Sequence, residues 1–116
     1  MIRLDTRTGV IDQALSQAKL SEQLSAPLSQ AQKDRVVDFL ELRAKWSKTH
    51  NLSGPKALSR LSTDIADAVA VWLCAESTAP LADIGSGSGA PGLMLACLSP
   101  HQQIHLVEPI AKRCAF

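Results

Sequence analysis

The pattern of hydrophobic and polar positions has a helical period up to about residue 78. Weak helical spacing from about Val10 to Leu24 predicts a first helix, and Pro27 breaks this pattern. Apolar residues three and four positions apart predict a second helix from about Ser29 to Thr49. A third is predicted from about Lys56 to Cys74, with a break near residues 62–63. Residues 1–9 are expected to be loosely structured.

Each predicted helix carries one apolar face that is expected to pack into a core. The start of the second helix has a further signal, because Ser29 followed by Gln32 fits a capping box. In that motif each side chain bonds the backbone N–H of the other residue. The residues predicted to face the core are Ile11, Leu15, Ala18, Val36, Phe39, Leu42, Trp46, Ile65, Val69 and either Trp72 or Leu73.

After residue 80 the pattern changes to that of a strand, a helix and a second strand. Leu81 to Ile84 predicts the first strand, Ala90 to Leu98 a helix with Pro91 in its first turn, and Ile104 to Glu108 the second strand. Residues 110–116 are expected to begin a further helix. Two strands joined by a helix predict parallel pairing. The expected fold class is therefore α/β, with an incomplete Rossmann-like sheet of about two parallel strands behind an N-terminal helical layer.

Two regions follow from this change of pattern. We expect a helical region at residues 1–78 and the first β–α–β unit of a larger sheet at residues 79–116.

The turn between the first strand and its helix is rich in glycine, which permits positive φ and lets a ligand approach the backbone closely. The N–H groups at the start of the following helix suit anionic or hydroxyl-rich ligands.

Two acids accompany this turn, one closing each predicted strand. The candidate cofactor-binding residues are Asp83, Gly85, Ser86, Gly87, Ser88, Gly89, Ala90 and Glu108.

Two classes of ligand fit the turn. The sequence Gly85-x-Gly87-x-x-Ala90 satisfies the loose dinucleotide fingerprint with an acid about 20 residues on, which indicates an NAD-type oxidoreductase. An acid two residues before the first glycine, in a D-x-G-x-G-x-G turn, is instead typical of class I methyltransferases that bind S-adenosylmethionine. Glu108 would then accept the ribose hydroxyls, and Asp83 would help to fix the amino group of the cofactor. A plain turn between strand and helix is the third interpretation.

The composition indicates the cellular compartment but does not identify a binding partner. Hydrophobic residues make up 46% of the 116 residues and the net charge is +1, which indicates at most one globular domain and names no partner. Cys74, Cys97 and Cys114 stand singly and are expected to be small buried apolar groups in a reducing cytoplasm. No signal peptide or membrane span is expected. His101 and His105 would fall on a loop and a strand, so no metal site is expected.

A run of cations without acids extends from the second predicted helix into the third. Lysine and arginine neutralise nucleic-acid phosphates, so this run predicts an RNA contact, and a solvated basic face is the alternative. Its members are Arg43, Lys45, Lys48, Lys56 and Arg60.

Several motifs together carry a resemblance to a known family. They are Lys45-Trp46-Ser47-Lys48 followed by Asn51-Leu52, the stretch from Asp83 to Gly92, and Glu108 followed by Lys112-Arg113 and Phe116. With these motifs, the chain from about Ser29 to Phe116 resembles the small-subunit (16S) ribosomal RNA methyltransferase G family, also called glucose-inhibited division protein B. The glycine motif is common to many methyltransferases, whereas Pro91-Gly92 and the upstream motif are more specific.

The resemblance implies a cytoplasmic enzyme that methylates N7 of a guanine in small-subunit ribosomal RNA, with S-adenosylmethionine as donor. Guanine N7 is a hydrogen-bond acceptor without a proton, so placement of the reactants would suffice and no catalytic residue is assigned. The glycine-rich turn would hold the cofactor and Glu108 its ribose. No membrane or metal partner is expected, and the oligomeric state is left open.

Two departures from the family pattern limit the resemblance. Family members show His-x-x-Asp-Ser before the first strand, where this chain has Asp64-Ile65-Ala66-Asp67-Ala68 and only Asp67 fits. We expect Asp64 and Asp67 to be a solvent-facing pair or helix first-turn charges. The chain also stops after the second strand, which predicts a fragment with an open strand edge and little activity of its own. A non-catalytic, truncated gene product is the alternative.

Overall fold

The structure, a computed structural model, describes residues 4–24, 26–50, 61–75, 79–85 and 91–111. The described residues form four helices and two strands. In chain order these elements are α1 (Leu4–Gln17), α2 (Gln30–His50), α3 (Leu61–Cys74), β1 (Leu81–Ile84), α4 (Gly92–Leu98) and β2 (Ile104–Val107).

The two strands pair in parallel, as predicted, and α4 connects them. The register places Leu81 opposite Ile104 and Ile84 opposite Val107, so both strands end at the same edge of the sheet. Among the described residues β1 pairs with β2 alone, and Ile84 keeps 75% of its surface exposed. The predicted α/β class with a short parallel sheet and a helical layer before it is confirmed.

Helix α1 differs from the prediction at both ends, because it begins at Leu4 and ends at Gln17. Its C-terminus forms a Schellman motif, in which Lys19 adopts a φ of 57°. The N–H of Lys19 donates to the carbonyl of Ser16 (3.1 Å), and the N–H of Leu20 donates to that of Leu15 (2.9 Å). Glycine is the usual residue at this position. A lysine there gave no sequence signal that the helix stops.

Helix α2 begins with the predicted capping box. The N–H of Gln32 donates to Ser29 Oγ (3.1 Å), and the N–H of Ser29 donates to Gln32 Oε1 (2.8 Å). This exchange satisfies two N–H groups at the helix start, of which one would otherwise lack an intrahelical partner. Helix α3 then runs from Leu61 to Cys74 without the break expected near residues 62–63.

The core is formed mainly by the four helices, and the apolar faces are rotated relative to the predicted ones. Ala18 and Leu42 were expected inside but are exposed, and Trp46 is half-buried. Of the two alternatives near the end of α3, Trp72 is half-buried and Leu73 is exposed. Leu42 lies 46% exposed because α2 turns the neighbouring side of its surface inward. The buried apolar residues of the cluster are Ile11, Ala14, Leu15, Leu20, Leu28, Val36, Val37, Phe39, Leu40, Ile65, Ala68, Val69, Met94 and Leu98.

Helix α4 belongs to this core although it follows β1 in the chain. Its residues Met94 and Leu98 are buried in the helical cluster. Two side chains of α2 also bond its last carbonyls, which lack intrahelical partners. Gln32 Nε2 donates to the carbonyl of Leu98 (2.9 Å), and Arg35 Nε donates to that of Cys97 (2.6 Å). The predicted regions 1–78 and 79–116 therefore share one hydrophobic core.

The cysteines do not form the uniform buried set that was expected. Cys74 is exposed, Cys97 is half-buried, and Cys114 lies outside the described residues. Burial raises the pKa of the Cys97 thiol, and the nearby Arg35 partly opposes this effect. None of the described helices combines the length and the apolar character needed to cross a bilayer.

We predict that Ser29→Ala lowers the free energy of unfolding by about 1 kcal/mol, because it removes the acceptor for the Gln32 N–H at the start of α2. Urea denaturation followed by circular dichroism measures this change. The matched control is Ser16→Ala on the exposed side of α1, which should stay within about 0.5 kcal/mol of the unsubstituted chain. Equal effects of the two substitutions would contradict a stabilising role for the capping box.

Candidate functional site

The carboxyl edge of the sheet brings the two predicted acids to the same side of the molecule. The N–H of Gly85 donates to the carbonyl of Val107 (2.7 Å), which continues the β1–β2 pairing by one residue. Glu108 follows directly after β2, and Asp83 is the third residue of β1. Ligands of open α/β sheets bind beyond the carboxyl ends of the strands, so this edge is where such a site is expected.

Asp83 is held by the first residue of α4. Its Oδ2 accepts a hydrogen bond from the backbone N–H of Gly92 (3.0 Å), and its side chain is half-buried. This N–H has no carbonyl partner inside the helix, so the carboxylate of β1 satisfies it. The bond fixes the direction of the Asp83 carboxylate and joins strand to helix across the base of the turn.

The glycine-rich turn begins as the sequence predicts. Gly85 adopts a φ of +75°, a left-handed conformation that other residues rarely adopt. The remaining predicted members of the turn lie outside the described residues. These are Ser86, Gly87, Ser88, Gly89 and Ala90.

Glu108 takes part in a local turn after β2. Its Oε1 accepts a hydrogen bond from the backbone N–H of Ile110 (3.3 Å), two residues further on. The residue is half-buried. One oxygen of the carboxylate therefore takes part in this turn, at the residue that directly follows β2.

The predicted basic patch is smaller than the sequence indicates. The guanidinium of Arg43 is buried, forms an ion pair with Asp64 (Nη1 to Oδ2, 3.2 Å), and lies 5.6 Å from the centre of the Phe39 ring. Because its charge is used inside the protein, Arg43 is not an exposed cation of the kind that binds phosphate. Lys45 is exposed as expected. The side chain of Lys48, together with Lys56 and Arg60, lies outside the described residues.

The ion pair also gives a structural role to Asp64, which stands where the family pattern His-x-x-Asp-Ser has its histidine. Asp64 stands in the first turn of α3, as one of the two expectations held, but its side chain is only 27% exposed because it pairs with Arg43. Asp67 is exposed. Asp67 therefore fits the solvent-facing expectation, and Asp64 fits the first-turn expectation.

A groove that the sequence analysis did not predict lies between α2 and α4. It has a volume of about 440 Å³ and a mainly apolar lining that includes Arg35, Phe39, Leu93 and Cys97. Its residues belong to ordinary helical faces, so no spacing or motif singles them out. Of the predicted cofactor-binding residues that the structure describes, Asp83, Gly85 and Glu108, none lines it. Among the described residues, no group of three or more His, Cys, Asp or Glu side chains could hold a metal ion.

A parallel β–α–β unit with acids at its carboxyl edge places the chain in the α/β class, whose open sheets bind ligands at that edge. Comparison with known proteins gives the family. The profile of the family GidB, described as rRNA small subunit methyltransferase G, matches residues 32–116. The chain therefore belongs to the rRNA small subunit methyltransferase G family.

Individual relatives agree with the profile. The chain is similar to proteins named ribosomal RNA small subunit methyltransferase G. In Dichelobacter nodosus the identity is 35% over 94 residues, which cover 80% of this chain and 44% of the relative. In Bradyrhizobium diazoefficiens it is 36% over 110 residues (91% and 42%), and in Helicobacter pylori strain J99 it is 40% over 81 residues (70% and 46%). The chain thus spans just under half the length of these relatives. No solved structure matches it significantly.

We predict that Arg43 stabilises the helical layer. Arg43→Ala should lower the free energy of unfolding by about 2–4 kcal/mol, because it leaves the Asp64 carboxylate without its partner and opens a gap beside Phe39. Lys45→Ala removes an exposed charge two residues away and should change stability by less than about 0.5 kcal/mol. Urea denaturation of both variants measures the difference. Similar small effects would contradict the structural assignment of Arg43.

Proposed function

We propose that this chain carries the cofactor-binding part of an S-adenosylmethionine-dependent methyltransferase that acts on guanine N7 of 16S ribosomal RNA in the cytoplasm. The observation that carries the proposal is the pair of acids at one sheet edge, Asp83 on β1 and Glu108 after β2, beside the turn that begins at Gly85. Membership of the methyltransferase G family supports this reading over an oxidoreductase with a nicotinamide cofactor.

The residues present fit S-adenosylmethionine. The Glu108 carboxylate, anchored near the edge by Ile110, offers acceptors for the two ribose hydroxyls. Asp83 offers a negative charge for the ammonium group of the methionine end, directly or through water. The backbone of residues 85–90, rich in glycine, suits close approach of the ligand. These roles are those that the family motif implies for the same residues.

When bound, the cofactor supplies an activated methyl group on a sulfonium ion. Guanine N7 offers its lone pair without losing a proton. The chain therefore needs no general base, and its contribution is to hold and orient the reactants, an effect that can supply about 7–11 kcal/mol. This agrees with the absence of a catalytic dyad among the predicted site residues. Because the chain spans just under half the length of its relatives, the proposal assigns it cofactor binding and little methyl transfer on its own.

The cofactor role is tested by calorimetric titration of the chain with S-adenosylhomocysteine. We expect binding, and a loss of affinity of about tenfold or more for Asp83→Ala and for Glu108→Ala, because each substitution removes a charged hydrogen-bond partner. Glu22→Ala, which removes an exposed acid between α1 and α2, should bind like the unsubstituted chain. NADH should not compete. Displacement of the ligand by NADH, or unchanged binding by both site variants, would refute the assignment.

We propose further that Lys45, in the C-terminal half of α2, contacts ribosomal RNA phosphates together with the lysines and arginine that follow it in the sequence. Among the described members of the predicted patch, Lys45 is exposed and Arg43 is buried. The family supports RNA as the substrate class, and lysine contacts to phosphate give binding that weakens with salt.

The RNA contact predicts a specific salt dependence. Lys45→Glu should weaken binding to a small-subunit rRNA fragment and lower the slope of log affinity against log salt by about one. The control is Lys19→Glu at the end of α1, which reverses a charge elsewhere on the surface. Filter binding at several salt concentrations measures both. Equal effects of the two reversals would show that only net charge matters and that α2 makes no particular contact.

A further inference from the structure

The geometry points to Gly92 as a positioning residue for the carboxylate of Asp83, which is proposed to hold the cofactor. We propose that the missing side chain and the N–H of Gly92 together set the direction of Asp83, and that any larger residue at this position misplaces it. The inference rests on the proposed role of Asp83 in cofactor binding, and it assigns a role to a residue that does not itself touch the ligand.

The first observation is the contact itself. The N–H of Gly92 donates to Asp83 Oδ2 over 3.0 Å, and Gly92 is buried at the first position of α4. Among the described residues, Gly92 is the hydrogen-bond donor that the structure gives to this carboxylate. One oxygen is thus engaged with the helix, and the direction of the other is fixed with it.

The second observation is steric. A Cβ built on Gly92 would lie 2.5 Å from Leu106 Cδ2, 2.7 Å from Asp83 Oδ2 and 2.9 Å from Asp83 Cβ. Real Cβ atoms essentially never come within 3.0 Å of other heavy atoms. The end of the Leu106 side chain can turn away, because that residue is 42% exposed. The Cβ of Asp83 cannot, because β1 is held in register with β2 at the Asp83–Leu106 pair.

An added methyl group would therefore turn the Asp83 carboxylate or push α4 away from β1. Either change disturbs the bond between Asp83 and Gly92. Gly92 does not have a left-handed φ, unlike Gly85. Glycine is therefore required at this position for lack of space and not for its backbone conformation. A charge-assisted hydrogen bond weakens steeply as its distance and angle depart from the ideal, so small shifts of Asp83 lower the affinity for a cationic group.

The test compares two ligands on the full chain. S-adenosylhomocysteine carries the amino acid end that Asp83 would hold, whereas 5′-methylthioadenosine keeps the adenosine and the sulfur but lacks that end. We expect Gly92→Ala to weaken binding of S-adenosylhomocysteine by about tenfold or more, because a misdirected Asp83 loses a charge-assisted hydrogen bond to the amino group, and binding of 5′-methylthioadenosine by less than about twofold. Calorimetry measures both affinities.

A matched control is available in the same chain. Gly9→Ala makes the same substitution in α1, where an added Cβ meets no atom within 4 Å, and should leave both affinities unchanged. If the Gly92→Ala chain does not fold, the double variant Gly92→Ala/Leu106→Ala is compared with the single variant Leu106→Ala. That background removes the nearest clashing atom and keeps the clash with Asp83, so the same selective loss is expected.

The outcomes separate the inference from the proposed function. Failure of the unsubstituted chain to bind either ligand would overturn the cofactor role and the inference with it. Binding by the unsubstituted chain, with both ligands weakened equally by Gly92→Ala or neither weakened, would overturn the inference alone, because Gly92 would then serve general packing or nothing at the site. In amide NMR spectra, Asp83→Asn should also shift the Gly92 proton resonance if the two groups are bonded as described.

Discussion

Helix α4 has to pack against two different partners over only seven residues, and the rest of the structure depends on this constraint. On one side Met94 and Leu98 are buried among the helices of the N-terminal layer. At its start Gly92 lies against Asp83 and Leu106 of the two strands. A helix with so few residues has little intrinsic stability, so these contacts, rather than helix propensity, determine where it lies.

The N-terminal layer therefore supports the site without forming it. Gln32 and Arg35 of α2 bond the carbonyls at the end of α4, while Asp83 bonds the N–H at its start. Both ends of α4 are thus satisfied by side chains of other elements, the end by the distant helix α2 and the start by β1, which directly precedes it in the chain. The buried pair of Arg43 and Asp64 joins α2 to α3 in the same layer. Through α4, the helical layer is connected to the edge of the sheet where the two acids lie.

The parts of the fold that could be predicted are those with local signals. The capping box at Ser29 and the strand at Leu81–Ile84 follow from neighbouring residues, and both are confirmed. The end of α1 could not be predicted, because Lys19 adopts a conformation usually reserved for glycine. The burial of Arg43 depends on Asp64, which is 21 residues away and belongs to another helix. The steric need for Gly92 is likewise tertiary, although the motif that contains it was recognised.

For the site, the acids of the two strands were identified from sequence, and the structure brings them to one edge of the sheet. Their role in binding is tested most directly by amide NMR of the labelled chain during titration with S-adenosylhomocysteine. The account predicts shifts concentrated at the carboxyl edge of the sheet, around Asp83, Gly85, Gly92 and Glu108. Shifts concentrated in the groove around Phe39 and Leu93, or no shifts at the sheet edge, would contradict it.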